Sequence, residues 1–229
     1  MIKFVLIDLD DTILDFRMAE HSALKRTLES FGRAVTEKML SDYSLINKAQ
    51  WERLERGELT RGQVKTERYR LLFEKYSITA VRPAEMTARY EKNLAIGHFF
   101  VDGAEDLLSA LSKDYRLFLV SNGAKNVQFS RIESAGIEEY FERIFISEEI
   151  GFLKPEKEFF ETALSSVDGF KKEEAVILGD SLTADIKGGK NFGVRTIWFN
   201  KYGIENMTDI KPDFTVNSLS EAKNILKNM

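Results

Sequence analysis

The chain opens with MIKFVLIDLDDTIL, residues 1–14, and the organisation of the whole protein can be worked out from this stretch. Residues 3–7 are rich in β-branched and aromatic side chains, which predicts a buried strand. Three carboxylates, Asp8, Asp10 and Asp11, follow that strand directly. Acids gathered at the end of a buried strand are costly unless a positive charge lies beside them, and a divalent metal ion would supply that charge.

Asp8 and Asp10 are the two carboxylates of this stretch that can act together. If the chain stays extended as far as Asp10, both side chains point to the same side, because side chains alternate along a strand. One carboxylate can then attack a substrate while the other moves protons. The structural alternative is an acidic turn that caps the strand. Asp11 lies one residue off that side, and we expect from it a backbone amide or a turn contact.

The composition restricts the class of protein. With 229 residues, 43% hydrophobic and 31% charged, the chain is typical of a globular domain with room for an inserted module. Its net charge of −4 gives no general attraction to nucleic acid polymers or anionic membranes. The absence of cysteine excludes disulfides and cysteine-bound metals. Without a signal peptide or an apolar stretch of about 20 residues, we expect a cytoplasmic protein with no obligatory protein partner.

Residues 17–96 contain helical periodicity and no convincing strand. Gly32 suits the end of a first helix, and Thr36 suits the start of a second, which Gly57 breaks. Thr60 is placed to cap a third helix, and Pro83 fits the first position of a fourth. The sequence therefore predicts a module of four helices, a four-helix bundle, with short links.

Beyond residue 101 the pattern changes to strands that alternate with helices. Asp102 can cap a helix that runs to Leu111, and a closing helix is predicted over residues 219–227. Strands are predicted at residues 116–120, 143–146, 175–178, 194–199 and 214–216, with helices at 125–134, 156–165 and 184–191 between them. This alternation predicts an α/β fold with a doubly wound, parallel, Rossmann-like sheet. The strand at residues 3–7 belongs to it, so we expect a core of residues 1–15 and 100–229 and an inserted cap domain of residues 16–99.

Polar residues stand where three of these strands end. Asp8, Ser121 and Asp180 each follow or close a predicted strand. Because ligands gather at the carboxyl ends of the strands in open parallel sheets, these side chains are expected at one edge. Asp180 can join Asp8 in binding Mg²⁺, which prefers oxygen ligands, and Asp185 adds a further carboxylate. The structural alternative is that Asp180 or Thr183 caps the next helix.

Lys154 precedes Pro155 and a predicted helix, where it can hold a phosphate and offset the carboxylates. A solvated surface lysine is the alternative. The Ser121 hydroxyl and the backbone amides around Asn122 and Gly123 can approach an anion closely. The combined residues indicate phosphoryl transfer, in which catalysis is mainly positioning and charge stabilisation. They comprise a nucleophilic carboxylate, an acid/base, a lysine, a hydroxyl and the ligands of Mg²⁺.

These residues resemble the four motifs of the haloacid dehalogenase superfamily of phosphohydrolases. Residues 8–12 resemble the first motif, 121–123 the second, 154–155 the third and 179–185 the fourth, and the helical insertion resembles the helical cap of the first type. The resemblance implies that Asp8 forms an aspartyl-phosphate and that Asp10 protonates the leaving alcohol and then activates water. It implies that Asp8, the Asp10 backbone carbonyl and Asp180 hold Mg²⁺ with support from Asp185. Ser121, Asn122 and Lys154 are the implied contacts of the phosphoryl group.

The second acid, Asp10, favours a phosphatase over a dehalogenase, because a dehalogenase does not need it and a phosphatase does. Residues 47–51, 57–60, 146–154 and 179–189 are further similar to bacterial nucleoside 5′-monophosphatases that act on pyrimidine nucleotides. Trp51 can stack on a base or simply pack between helices, and Arg53, Arg56 and Arg61 can meet substrate charge or form a solvated face. The expected substrate is a small phosphomonoester. The alternatives are a sugar-phosphate or phosphoglycolate phosphatase and, from another class, a non-catalytic protein that binds phosphorylated ligands.

Overall fold

The computed structural model describes residues 1–79 and 81–229 of the chain. Within this described part the chain forms two compact units: residues 1–15 with 98–229, and residues 16–97. The division predicted from the sequence, a core of residues 1–15 and 100–229 and a cap domain of residues 16–99, stays a prediction.

Among the described residues, six strands form one sheet in which all neighbouring strands run parallel. The spatial order is β3-β2-β1-β4-β5-β6, so the direction of winding reverses beside the central strand β1. The predicted α/β fold with a doubly wound parallel sheet is thereby confirmed. Such a reversal opens a crevice at the carboxyl ends of the strands. The strands are β1 Phe4–Ile7, β2 Arg116–Ser121, β3 Arg143–Ile146, β4 Ala175–Gly179, β5 Arg195–Phe199 and β6 Phe214–Val216.

The second unit is built from helices with short links, as the sequence predicts. Thr36 caps the second helix by accepting a hydrogen bond from the Met39 amide at 3.2 Å. Thr60 and Gln63 form a reciprocal capping box at the third helix, and Pro83 is the first residue of the fourth. The helices are α1 Phe16–Ser30, α2 Glu37–Glu55, α3 Arg61–Tyr76 and α4 Pro83–Leu94.

The interior of this helical unit contains charge as well as apolar packing. Glu20 accepts a hydrogen bond from the Asn47 side-chain nitrogen at 2.7 Å, and Arg68 donates to the Asn47 side-chain oxygen at 3.1 Å. The Arg68 guanidinium also lies 4.8 Å and 5.0 Å from the ring centroids of Tyr69 and Tyr90. Asn47 therefore links two buried groups of opposite charge, which reduces the cost of burying each.

The surface residues singled out in this unit have ordinary surroundings. Trp51 is half-buried on α2. Arg53, half-buried in the last turn of α2, and the exposed Arg56 both pair with the exposed Glu58, at 3.3 Å and 2.5 Å. These ion pairs agree with the solvated-face alternative for the two arginines.

Helices cover both faces of the sheet in the first unit. On β1, Val5 and Ile7 pack into one hydrophobic cluster, and Phe4 and Leu6 pack into another on the opposite face. Burial on both faces explains why this strand is a continuous apolar run. The helices are α5 Ala104–Leu111, α6 Lys125–Ala135, α7 Ser147–Ile150, α8 Lys157–Leu164, α9 Lys187–Phe192 and α10 Leu219–Lys227, with a π-helical turn, Leu182–Ile186, before α9.

Two predicted helix starts are wrong. The residue before α5 is Gly103, with φ of 80°, so Asp102 stands one position too early to cap it. Glycine occupies this left-handed conformation at little cost, which is why it takes the position. The helix predicted from residue 184 instead begins with the π-helical turn, capped by the Ser181 hydroxyl, which accepts from the Ala184 amide at 3.1 Å. Asp180 and Thr183 therefore do not serve as that cap.

In the part of the chain that the structure describes, every helix is too short or too polar to cross a membrane.

Thr60→Ala is expected to lower the free energy of unfolding by about 1 kcal/mol, because it removes the side-chain acceptor of the α3 capping box. Urea titration followed by circular dichroism measures the change. Thr66→Ala is the matched control. Thr66 is an exposed residue in the middle of α3, where alanine has the higher helix propensity, so this change should not lower the free energy of unfolding. Equal losses in the two variants would contradict the capping role.

Candidate active site

Three polar residues lie at the carboxyl ends of β1, β2 and β4. Asp8 follows β1 directly, and its amide still donates to the Leu178 carbonyl of β4 at 3.0 Å. Ser121 is the last residue of β2, and Asp180 follows β4. Parallel pairing of β1 with both neighbours brings these three strand ends to one edge of the sheet.

Lys154 lies at the centre of this edge and is only 2% exposed. Its ammonium nitrogen donates to Asp8 Oδ1 at 2.6 Å, to Asp185 Oδ1 at 2.7 Å and to the Val120 carbonyl at 2.8 Å. Three acceptors for three N–H bonds satisfy the buried ammonium, which an apolar site would not tolerate unpaired. The solvated-lysine alternative is therefore wrong.

Asn122 holds the backbone on which Lys154 stands. Its side-chain oxygen accepts from the Lys154 amide at 2.9 Å, and its side-chain nitrogen donates to the Lys154 carbonyl at 2.8 Å. Both ends of the Asn122 amide are thus used in positioning Lys154. The contact predicted between Asn122 and the substrate is assigned to its backbone N–H.

Within the described residues, the carboxylates of Asp8, Asp180 and Asp185 form a group with oxygens within 4.8 Å of one another. Asp185 reaches this group because Gly179 has no side chain: a Cβ there would lie 2.3 Å from the Asp185 carboxylate. Asp185 is further held by the Ser181 amide, which donates to its Oδ2 at 3.1 Å. Three clustered carboxylate oxygens are suitable ligands for a hard divalent cation.

The electrostatics of the group also favour a cation. Burial raises the pKa of Asp8 from 3.8 to about 8, although the Lys154 ammonium opposes the shift. Burial and the carboxylates of Asp11 and Asp8 raise the pKa of Asp180 well above 3.8. Burial opposes the charge on Lys154, but Asp185 and Asp8 outweigh it and raise the pKa of its ammonium. One ammonium does not compensate three carboxylates, and a divalent cation would favour their ionised forms.

Asp10 has different partners from Asp8. Its carboxylate forms an ion pair with Arg131 Nη1, and its Oδ2 accepts from Gln128 Nε2 at 2.6 Å. Both partners lie one turn apart on α6 and are buried, Gln128 at 1% and Arg131 at 0% exposure. No motif in the sequence points to them. The available signal is two polar residues at spacing i, i+3 on the face of a helix that must pack against the sheet.

The turn that follows Asp10 depends on Asp11. Its φ is 58°, in the left-handed region that aspartate tolerates better than most residues. Its amide donates to the Leu14 carbonyl at 2.7 Å, which confirms the predicted turn contact. Its carboxylate nevertheless contributes to the raised pKa of Asp180. Thr12 completes the turn by donating from Oγ1 to Asp8 Oδ2 at 3.3 Å.

A Rossmann-like parallel sheet with acids, a buried lysine and a hydroxyl at its switch point is typical of α/β enzymes that transfer phosphoryl or related groups. Residues 5–199 match the family of haloacid dehalogenase-like hydrolases. The chain belongs to this family.

Relatives with assigned activities include two nucleotidases. The chain is 37% identical over 231 residues to the pyrimidine 5′-nucleotidase PynA of Streptococcus pneumoniae, covering 98% of this chain and 97% of that one. It is 29% identical to the pyrimidine 5′-nucleotidase YjjG of Escherichia coli, covering 97% of both. The solved structure of the HAD-hydrolase YfnB from Bacillus subtilis, bound to magnesium, superposes with a TM-score of 0.93 at 37% identity over 98% of both chains.

In EDTA, the free energy of unfolding is expected to fall as the pH rises from about 4 to about 8. Folded Asp8 keeps its proton up to a pKa of about 8, whereas the unfolded chain releases it near 3.8. In that window the folded state binds more protons than the unfolded state, so each rise in pH favours unfolding. Urea titrations at pH 5 and pH 8 measure the slope.

Asp8→Asn should make this slope shallower, with Asp180 accounting for the remainder because its pKa is also raised, whereas the exposed control Asp209→Asn should keep the full slope. An equal slope in the wild type and in Asp8→Asn would show that Asp8 is not the titrating group.

Proposed function

We propose that this chain is a Mg²⁺-dependent phosphomonoester hydrolase that acts through an aspartyl-phosphate, with pyrimidine nucleoside 5′-monophosphates as its preferred substrates. The observation that carries the proposal is the placement of Asp8. Its Oδ1 is bound by Lys154, its Oδ2 by Thr12, and two further carboxylates stand close enough to share a cation with it. A carboxylate fixed in this way can attack phosphorus without first reorganising.

The first half-reaction forms a bond between an Asp8 oxygen and phosphorus and breaks the bond to the leaving oxygen of the substrate. The Ser121 hydroxyl and the Asn122 backbone amide bind the phosphoryl oxygens, and the positive charge of Lys154, whose ammonium bonds Asp8, Asp185 and the Val120 carbonyl, stabilises the charge that develops on them. Asp8, the Asp10 carbonyl and Asp180, supported by Asp185, would hold Mg²⁺, which supplies charge neutralisation at the phosphoryl group when bound.

Asp10 moves the protons in both half-reactions. Its carboxyl group gives a proton to the leaving alcohol oxygen, and its carboxylate then takes one from the water that cleaves the aspartyl-phosphate. The Asp10 side chain is 28% exposed, so it can exchange protons with solvent between turnovers. It bonds Gln128 and Arg131, whereas Asp8 bonds Lys154, so the attacking and proton-moving acids have different partners.

Three observations support the substrate class and cofactor. The relatives PynA and YjjG, matched over almost the whole chain, are pyrimidine 5′-nucleotidases, and the solved structure of YfnB is bound to magnesium. A small phosphomonoester suits a protein with net charge −4 better than a nucleic acid polymer does. We place the enzyme in the cytoplasm, because proteins there are rarely stabilised by disulfides and this chain has no cysteine. The proposed chemistry requires no protein partner.

Phosphate release should be measured over a panel of UMP, CMP, dTMP, purine nucleoside monophosphates, hexose phosphates and phosphoglycolate, with MgCl₂ present. The pyrimidine monophosphates are expected to give the highest kcat/KM, because the relatives that resemble this chain along its length act on them. A higher kcat/KM for sugar phosphates or phosphoglycolate would reject the nucleotidase and retain the phosphatase.

Asp8→Asn is expected to lower kcat by at least about a thousandfold, because an amide cannot form the acyl-phosphate. Asp209→Asn should leave kcat unchanged, and circular dichroism verifies that both variants are folded. EDTA should abolish wild-type activity and MgCl₂ should restore it. Full turnover by Asp8→Asn would remove the proposed nucleophile, and a wild type that binds phosphate without turnover would support the non-catalytic alternative.

A further inference from the structure

We infer that Gln128 is a positioning residue: its side-chain amide fixes the Ser121 hydroxyl as a hydrogen-bond donor and ties it to the carboxylate of Asp10. The inference deepens the proposed function and rests on it for the role of the phosphoryl group. It concerns a residue outside the motifs that the sequence suggested.

The Ser121 hydroxyl oxygen already accepts two hydrogen bonds. Gln128 Nε2 donates to it at 2.7 Å, and the Gly123 amide donates to it at 3.1 Å. A hydroxyl has two acceptor positions and one proton, so two incoming donors leave only the O–H to be placed. That proton must be donated, and an oxygen of a bound phosphoryl group is the acceptor that the proposed reaction supplies.

The same Gln128 nitrogen donates its second proton to Asp10 Oδ2 at 2.6 Å. The two ends of the amide are distinguished by their neighbours, because Gln128 Oε1 accepts from Arg131 Nη1 at 3.1 Å. Turning the amide over would set its oxygen against the Asp10 carboxylate and its NH₂ against the guanidinium. One amide group therefore links the predicted phosphate-binding hydroxyl to the predicted acid/base.

The backbone is shaped to admit this side chain. A Cβ on Gly123 would lie 2.3 Å from Gln128 Nε2, so the close approach requires glycine. Gln128 is 1% exposed and Ser121 is 1% exposed, which excludes bulk water as a competing partner for either group. A donor fixed before the substrate arrives does not have to reorganise during the reaction.

The test is a double-mutant cycle on the binding of inorganic phosphate in MgCl₂, measured by calorimetry, with kcat/KM measured in parallel. Gln128→Met keeps the length of the side chain and removes the amide. It is expected to raise the Kd of phosphate about tenfold and to lower kcat/KM by a similar factor or more. Asn126→Ala, an exposed change on the same helix, should alter neither value.

The cycle is closed with Ser121→Ala. If Gln128 acts through the hydroxyl, adding Gln128→Met to Ser121→Ala should change the Kd of phosphate by less than about threefold, because the two residues share one effect. An unchanged tenfold effect in the Ser121→Ala background would overturn the inference, since a purely structural role does not depend on the hydroxyl. A Gln128→Met protein that binds phosphate like the wild type would also overturn it.

Gln128→Glu provides a second variant should the methionine protein fail to fold. It has the same shape, but its carboxylate accepts the Ser121 proton and draws it away from the phosphoryl group, so weaker phosphate binding is expected. Wild-type protein that binds phosphate but hydrolyses no phosphomonoester would reject the proposed function, and the binding cycle would still decide the role of Gln128. Wild-type protein that does not bind phosphate would count against both.

Discussion

The buried Lys154 ammonium is the group on which the arrangement of the site depends. It joins the residue after β1, the π-helical turn after β4 and the Val120 carbonyl of β2 through three hydrogen bonds of 2.6 to 2.8 Å. A buried ammonium is stable only while all its protons are accepted, and Asp8 and Asp185 are stable beside each other only while it is charged. Each of these charged groups therefore depends on the others, and the Asn122 side-chain amide fixes the backbone of Lys154.

Two missing side chains make the close contacts possible. Gly179 leaves room for the Asp185 carboxylate, and Gly123 leaves room for the Gln128 amide. In both places a Cβ would stand 2.3 Å from the incoming side chain, well inside van der Waals contact. Neither glycine has the positive φ that often accounts for a glycine in a turn. Both glycines leave room for a side chain from elsewhere in the chain. This role can be recognised only once the incoming side chains are known.

Two acids that stand two residues apart have different partners. Asp8 pairs with Lys154, whereas Asp10, which precedes the left-handed Asp11, pairs with Gln128 and Arg131 on α6. Similar carboxyl groups thereby acquire different surroundings, which is the general means by which one of them attacks while the other transfers protons. The carboxylate that completes the trio with Asp8 and Asp180 is Asp185, from the π-helical turn after β4.

The sequence by itself determined the order of strands and helices, the helical insertion and the residues at the strand ends. Periodicity, glycine and proline act locally, so β3, β6 and α10 have the bounds that were predicted. The starts at Gly103 and at Ser181 were missed because residues close by in the sequence, Asp102 among them, are equally suitable helix caps, and local preference does not choose between such neighbours. Only the tertiary structure decided the partners: Gln128 meets Asp10 across 118 residues, and Lys154 meets Asp8 across 146. Hydrogen-bond partners so distant along the chain leave no local pattern, since they depend on which buried surfaces the folded sheet brings together.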